Sequence, residues 1–141
     1  MGKIVYATRR ERFNAAHKLW HDEWDPQKNF EMFGKCSNPN WHGHNYELFV
    51  TIKGEPNEET GYCMDLKHLR DIVEKHVTSK LDHKNLNLDV DFMKGVKTST
   101  ENLAIKIWEQ LEEHINATGC KLHCIRITET ENQAVEYFGG E

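Results

Sequence analysis

Three histidines and a cysteine stand where a strand pattern can bring them together. In Cys36-Ser-Asn-Pro-Asn-Trp-His42-Gly-His44 two imidazoles lie two residues apart. Tyr46, Leu48, Val50 and Ile52 continue their even-numbered phase, so all six side chains are expected on one face of a strand. Two neutral imidazoles converging at one strand end can grip a zinc-like metal, and a catalytic site needs one further protein ligand with a position left open. His17 closes an earlier strand just where the second begins if the two form a hairpin, so a third imidazole is available. A His₃ site of this kind can bind substrate oxygens and act as a Lewis acid. For any single one of the nine histidines the competing assignment is a surface or satisfied core residue, and spacing alone leaves both open.

Other residue types bear on the same chemistry. Cys36 sits beside Lys35 in a Gly- and Pro-flanked turn, where a cation and a nearby metal would both favour the thiolate, the form that acts as base or nucleophile. The alternative is a small buried apolar residue. Asp82 precedes His83, and a carboxylate beside an imidazole can orient it and hold its proton; a helix-end histidine with a surface aspartate is the simpler alternative. Glu129 follows Ile125 and Ile127 in phase, which places a carboxylate on an apolar face. A flat heterocycle presenting N–H donors would satisfy it, unless the side chain reaches solvent at the strand end. Ser99, Thr100 and Glu101 stand at a helix N-terminus, suited to polar ligand groups but also explained by capping.

The elements that must position these residues follow from hydrophobic period. Ile4 to His17 and His42 to Lys53 read as strands, separated by a long polar loop over 18–41. Leu66, Leu69, Ile72, Val73, His76 and Val77 recur at helical spacing behind an Asp65 cap, predicting a helix that ends near Lys80. Thr98 and Glu101 match a capping box before Leu103, Ala104, Ile107, Trp108 and Leu111, a second amphipathic helix that stops before Gly119. Lys121 to Glu129 and Gln133 to Phe138 form a closing hairpin. The order ββααββ predicts an α+β layer, two helices on one face of a four-stranded antiparallel sheet. Open sheet edges are a liability that pairing between subunits removes, so a homo-oligomer is expected.

With 141 residues the chain, 1–141, is expected to form a single domain. A net charge of −5 argues against nucleic acid as a partner, while leaving room for a local basic pocket for a phosphorylated small molecule. The absence of a membrane-length apolar run or a signal-peptide pattern leads to the expectation of a cytoplasmic protein without a membrane partner. Cys36, Cys63, Cys120 and Cys124 contain no C-x-x-C pair, so free thiols are expected. Cys120 and Cys124, four apart on one strand, are expected to share a face about 13 Å apart, too far for a compact zinc knuckle with His123.

The ordered blocks Phe13-Asn-Ala-Ala-His17, Phe33-Gly-Lys-Cys36-Ser-Asn-Pro-Asn, His42-Gly-His44-Asn-Tyr, Leu81-Asp-His83-Lys-Asn-Leu, Ser99-Thr-Glu-Asn-Leu-Ala and Glu129-Thr-Glu-Asn resemble the 6-pyruvoyl-tetrahydropterin synthase family, which includes 6-carboxytetrahydropterin synthase. The resemblance spans nearly the whole chain. It implies a T-fold, in which trimers close their sheets into a barrel and pair into hexamers with active sites between subunits. It further implies that His17, His42 and His44 bind Zn²⁺, that Cys36 is the catalytic base, and that Asp82 with His83 forms a proton relay. Glu129 would anchor the pterin ring, helped by Ser99, Thr100 and Glu101.

The implied substrate is 7,8-dihydroneopterin triphosphate. Proton removal by Cys36 and tautomerisation would reduce the pyrazine ring without an external reductant, and triphosphate would leave by elimination, giving the pyruvoyl product. The six-residue step from Cys36 to His42 resembles the pyruvoyl-forming enzymes of tetrahydrobiopterin synthesis. The alternatives are the carboxy-forming enzymes of queuosine and deazapurine synthesis, which release acetaldehyde with triphosphate, and a non-catalytic pterin-binding module. Trp41, where many members carry a small residue, bears on the pocket wall.

Overall fold

β1 (Val5–His17) and β2 (His42–Gly54) pair antiparallel without a break from Val5↔Gly54 to His17↔His42. The even-numbered side chains of β2 turn inward as the alternation requires: Tyr46, Leu48, Val50 and Ile52 are all buried. Fully burying each aliphatic side chain contributes roughly 1.5–3 kcal/mol, and Leu48→Ala should cost about 2–5 kcal/mol through the lost contacts and the cavity left behind. This hairpin is the rigid base from which His17 and His42 project side by side. In this computed structural model residues 2–140 are described; Met1 and Glu141, the ends of the expected domain, lie outside them.

Two further strands, β4 (Lys121–Thr130) and β5 (Gln133–Tyr137), extend the sheet from β2. A fifth strand, β3 (Lys84–Asn85), runs parallel to β1 opposite Ala15 and Ala16, giving the order β3-β1-β2-β4-β5. The expected four-stranded antiparallel sheet is thus the body of a five-stranded mixed one. Two residues carry no legible alternation, so β3 left no pattern to detect. β1 from Val5 to Asn14 has no strand on its outer side among the described residues, and neither has β5.

The helices lie on the inward face. α2 (Leu66–Val73) starts at Asp65, whose carboxylate accepts the Lys67 N–H, and continues through a wide π-helical turn, Glu74–Thr78, into α3 (Ser79–Leu81). Leu69, Val73, Val77 and Leu81 are buried at a strict four-residue spacing. That spacing drifts around a 3.6-residue helix, and the wide turn absorbs the drift, which keeps all four on the core. α4 (Thr100–Asn116) buries Leu103, Ala104, Ile107, Trp108, Leu111 and Ile115.

Three local expectations are corrected. The cap of α4 is Ser99, whose hydroxyl accepts the Asn102 N–H at 3.2 Å; Thr98 is buried and reaches Lys18 O and Asn87 Oδ1 instead, so no Thr98–Glu101 capping box forms. The loop over 18–41 contains α1 (Pro26–Phe33), capped by Asp25, opened by Pro26 and closed at Gly34 with φ 58°. Its apolar Phe30 and Met32 are exposed and only Asn29 is buried, so it has no apolar stripe to betray it. The third concerns β4, where a bulge opposite Thr51 and Ile52 shifts the alternation. Cys120, Leu122 and Ile125 all join the core while Cys124 does not, so Cys120 and Cys124 fall on opposite faces rather than sharing one.

Candidate metal centre and active site

At the end of the β1–β2 hairpin, one ligand atom from each of His17, His42, His44 and Glu129 lies within 4.8 Å of the others. Strand register explains the histidines: His17 faces His42 directly across the pair, and His44 is one inward step along β2. The three rings sit 4.5–5.0 Å apart, centroid to centroid. Glu129 enters from β4, which borders β2 on the other side.

A backbone carbonyl sets the orientation of the deepest imidazole. Thr98 O lies 2.8 Å from Nδ1 of His17, so Nδ1 carries the proton and Nε2 presents its lone pair to the cluster. His17 Nε2, His42 Nδ1 and His44 Nε2 are all buried without a hydrogen bond. His44 Nε2 is 2.8 Å from Glu129 Oε1 but is not aligned for a hydrogen bond, and His17 Nε2 is 3.5 Å from the same oxygen. Buried polar atoms without partners are costly. Three of them converging beside a carboxylate oxygen are what a bound cation would satisfy, so the residues fit a metal ion. Burial pushes all three imidazoles below their ordinary value, which keeps them neutral at pH 7, the form that ligates.

Glu129 is held as well as placed. Its Oε2 accepts a hydrogen bond from Thr100 Oγ1 at 3.0 Å, leaving Oε1 toward the histidines. The strand phase had located this carboxylate on the inner face but had not shown that it belongs to the histidine cluster. Tyr46, one step beyond His44, adds a buried hydroxyl without a partner, and burial pushes the phenol far above its ordinary range. Its even-numbered phase was visible in the sequence; its hydroxyl could have been singled out there. The Thr98 carbonyl could not, because a backbone oxygen has no residue identity.

Cys36 lies in a short 3₁₀ turn, Gly34–Ser37, with its carbonyl fixed by the Leu19 N–H at 2.7 Å. It is half-buried, and burial followed by the negative charge of Glu129 pushes the thiol up rather than down. The expected lowering by Lys35 is therefore not what the protein alone supplies. The Glu129 charge is felt at the Cys36 thiol, while the group of side chains able to share one metal ion is His17, His42, His44 and Glu129.

Asp82 and His83 are elsewhere. They follow α3 at the outer edge of β1, where Asp82 Oδ1 accepts the Asn14 N–H at 2.9 Å and the His83 N–H bonds to Asn14 O at 2.6 Å. Asp82 Oδ2 lies 3.1 Å from His83 Nδ1, and the His83 side chain is 83% exposed on a left-handed backbone, φ 60°. The structure thus forms the expected pair but does not bring it into the cluster within one chain. Of the three residues at the start of α4, Thr100 reaches the site through Glu129, Ser99 is occupied as the cap, and Glu101 is exposed.

Comparison with known proteins gives a consistent picture. The 6-pyruvoyl tetrahydropterin synthase family model matches residues 6–140. A 6-pyruvoyl tetrahydrobiopterin synthase from Dictyostelium discoideum is 44% identical over 99% of both chains, and one from Homo sapiens is 40% identical over 94% of this chain and 90% of its own. A protein named putative 6-carboxy-5,6,7,8-tetrahydropterin synthase, from Archaeoglobus fulgidus, is 32% identical over 67% of this chain and 73% of its own. The solved structure of Caenorhabditis elegans 6-pyruvoyl tetrahydropterin synthase superimposes with a TM-score of 0.91 at 35% identity, covering 99% of this chain and 98% of that one. The T-fold sheet and helices, and a histidine cluster able to hold a metal, agree with that match along almost the entire sequence. The chain belongs to the 6-pyruvoyl tetrahydropterin synthase family.

Proposed function

We propose that the protein is a zinc-dependent carbon–oxygen lyase that converts 7,8-dihydroneopterin triphosphate to 6-pyruvoyl-tetrahydropterin with loss of triphosphate. The observation that carries this is the convergence of three unpartnered imidazole nitrogens with Glu129. Zinc, when bound, would supply Lewis acidity toward substrate oxygens. His17, His42 and His44 would hold it, with Thr98 fixing the tautomer of His17.

The chain's own residues divide the remaining work. Glu129, steadied by Thr100, would accept N–H donors of the pterin ring on its free oxygen. Cys36 would take a C–H proton; burial first and the Glu129 charge second push its thiol up, and ring N–H donors on Glu129 would weaken the second effect without cancelling the charge. Asp82 would orient His83 as a proton relay. Their exposure at the edge of β1 suits a site completed by a neighbouring subunit, and the open outer sides of β1 and β5 give such subunits strands to pair with. The working state would then be a homo-oligomer, trimer or hexamer, built from one domain per chain. Four free cysteines suit a reducing cytoplasm.

The carboxy-forming reaction, with acetaldehyde released, is a second reading that the Archaeoglobus relative supports over part of the chain. Incubating the zinc-loaded protein with 7,8-dihydroneopterin triphosphate and identifying products by mass spectrometry separates the two. Absence of turnover in a zinc-loaded oligomer would overturn the enzyme assignment. Cys36→Ala should retain pterin binding and lose turnover by 10²–10⁴-fold, the order expected for a lost proton-transfer group; a non-catalytic pterin-binding module would show binding unchanged and no activity to lose.

A further inference from the structure

A cavity of about 360 Å³ has a lining that includes Lys18, Trp20, Asp22, Trp41, Asn87 and Lys97. Three of these adjoin residues of the site in sequence: Lys18 follows His17, Trp41 precedes His42, and Lys97 precedes Thr98, whose carbonyl holds His17. The cavity is therefore fixed to the cluster through three separate backbone segments.

Its cations are positioned. The amide of Asn87 clamps the backbone of Lys18 on both sides, accepting the Lys18 N–H and donating to the Lys18 carbonyl, each at 3.0 Å. The Lys18 ammonium stands 4.4 Å above the Trp20 ring and 5.5 Å from that of Trp41. An indole face attracts a cation without neutralising it. Lys97 Nζ donates to Trp20 O at 2.7 Å, which leaves its other two N–H groups for a ligand. Among the described residues the lysines that form ion pairs are Lys94 and Lys106, so neither cavity ammonium group is paired with a carboxylate in a chain of net −5. Asp22, exposed on the same lining, is the opposing charge and pairs with neither lysine.

The Trp41 backbone has φ 64°, a left-handed conformation unusual for a bulky residue. That conformation is part of what puts the indole on the cavity wall, over Lys18 and directly before His42.

We infer that this cavity is a polyphosphate subsite in which Lys18 and Lys97 bind the anionic tail of the substrate while the pterin ring sits at Glu129. The inference rests on the proposed reaction for the identity of the tail, but its chemistry requires only a polyanion. Lys18 and Lys97 are binding and positioning residues; they take no part in proton transfer.

The test is calorimetric titration of inorganic tripolyphosphate, and separately of unphosphorylated neopterin, into the purified oligomer, with zinc content measured before and after because tripolyphosphate chelates metals. One tripolyphosphate should bind per chain without metal loss. Lys18→Ala and Lys97→Ala should each weaken it at least tenfold, Lys97→Arg should restore most of it, and Asp22→Asn should tighten it. Neopterin affinity should be unchanged in all four variants, which also shows that they are folded. Tripolyphosphate that does not bind, that binds equally to both alanine variants, or that binds only by stripping zinc overturns the inference. Glu129→Ala should lose neopterin and keep tripolyphosphate. If wild-type protein binds tripolyphosphate through the lysines but never binds neopterin, the anion subsite stands and the pterin reading falls.

Discussion

The carbonyl oxygen of Thr98 lies 2.8 Å from Nδ1 of His17, and the Thr98 hydroxyl is tied to Lys18 O and Asn87 Oδ1. A residue with no side-chain contact to the cluster thereby decides which nitrogen of its deepest imidazole is free. Thr98→Val removes the hydroxyl anchors at constant shape. Zinc affinity, measured by competition with a chromogenic chelator, should fall roughly tenfold, the lower end for lost outer-shell partners. Stability should drop by about 1–2 kcal/mol, the cost of leaving buried hydrogen-bonding groups unpaired. Unchanged zinc affinity would mean that His17 is oriented by packing alone.

The pH dependence has a definite sign. His17, His42 and His44 are held below their ordinary value of 6.5, chiefly by burial. Their neutral forms fit the folded state, so that fit is fully present above pH 6.5 and is lost as the pH falls through the lower folded-state values. Melting temperature of the metal-free protein should therefore decline on acidification below pH 6.5, and the decline should be smaller in His17→Gln. Metal should be retained at pH 7 and released as these imidazoles protonate, which elemental analysis after dialysis at stepped pH would follow.

Asp82 behaves oppositely to a buried acid. The Asn14 N–H, first, and His83, second, hold its carboxyl below the usual carboxylate range despite a partly exposed side chain. Its contribution is present above about pH 4 and lost as the pH falls through the depressed value. Asp82→Asn should remove that acid-side dependence while costing under about 1 kcal/mol at pH 7, because the pair is solvent-screened. If the pair is the proton relay of the proposed reaction, turnover should fall about 10²-fold with substrate affinity kept; equal losses in kcat and affinity would point to a structural role.

Trp41 carries left-handed backbone at φ 64°. Trp41→Gly removes a strain of roughly 1 kcal/mol together with the Lys18 contact to the indole, worth about 0.5–1 kcal/mol at an exposed site. The two oppose each other, so thermal melts should shift by no more than a few degrees. Tripolyphosphate affinity, by contrast, should weaken as the cavity wall is lost.

Much of the site was legible because strand geometry leaves little freedom. A period of two put His42, His44 and Tyr46 on one face, and an antiparallel hairpin ending at His17 had to set that residue against them. Glu129 was traceable by the same phase, even though the Cys120–Cys124 end of its strand was misread across a bulge. Elements without an apolar period escaped: α1 buries only a hydrogen-bonded asparagine, and β3 is two residues long.

Residue type and spacing alone determined which side chains could serve as ligands, base and carboxylate anchor, and which of them share a face, because alternation along a strand is a local property of the chain. Tertiary structure alone decided that Glu129 joins the histidines with Thr100 behind it, that the Thr98 carbonyl selects the His17 tautomer, and that Asp82 and His83 stand outside the cluster at the edge of β1. Those relationships join segments tens of residues apart through strand register, helix docking and backbone oxygens, none of which has a signature in the local pattern of side chains.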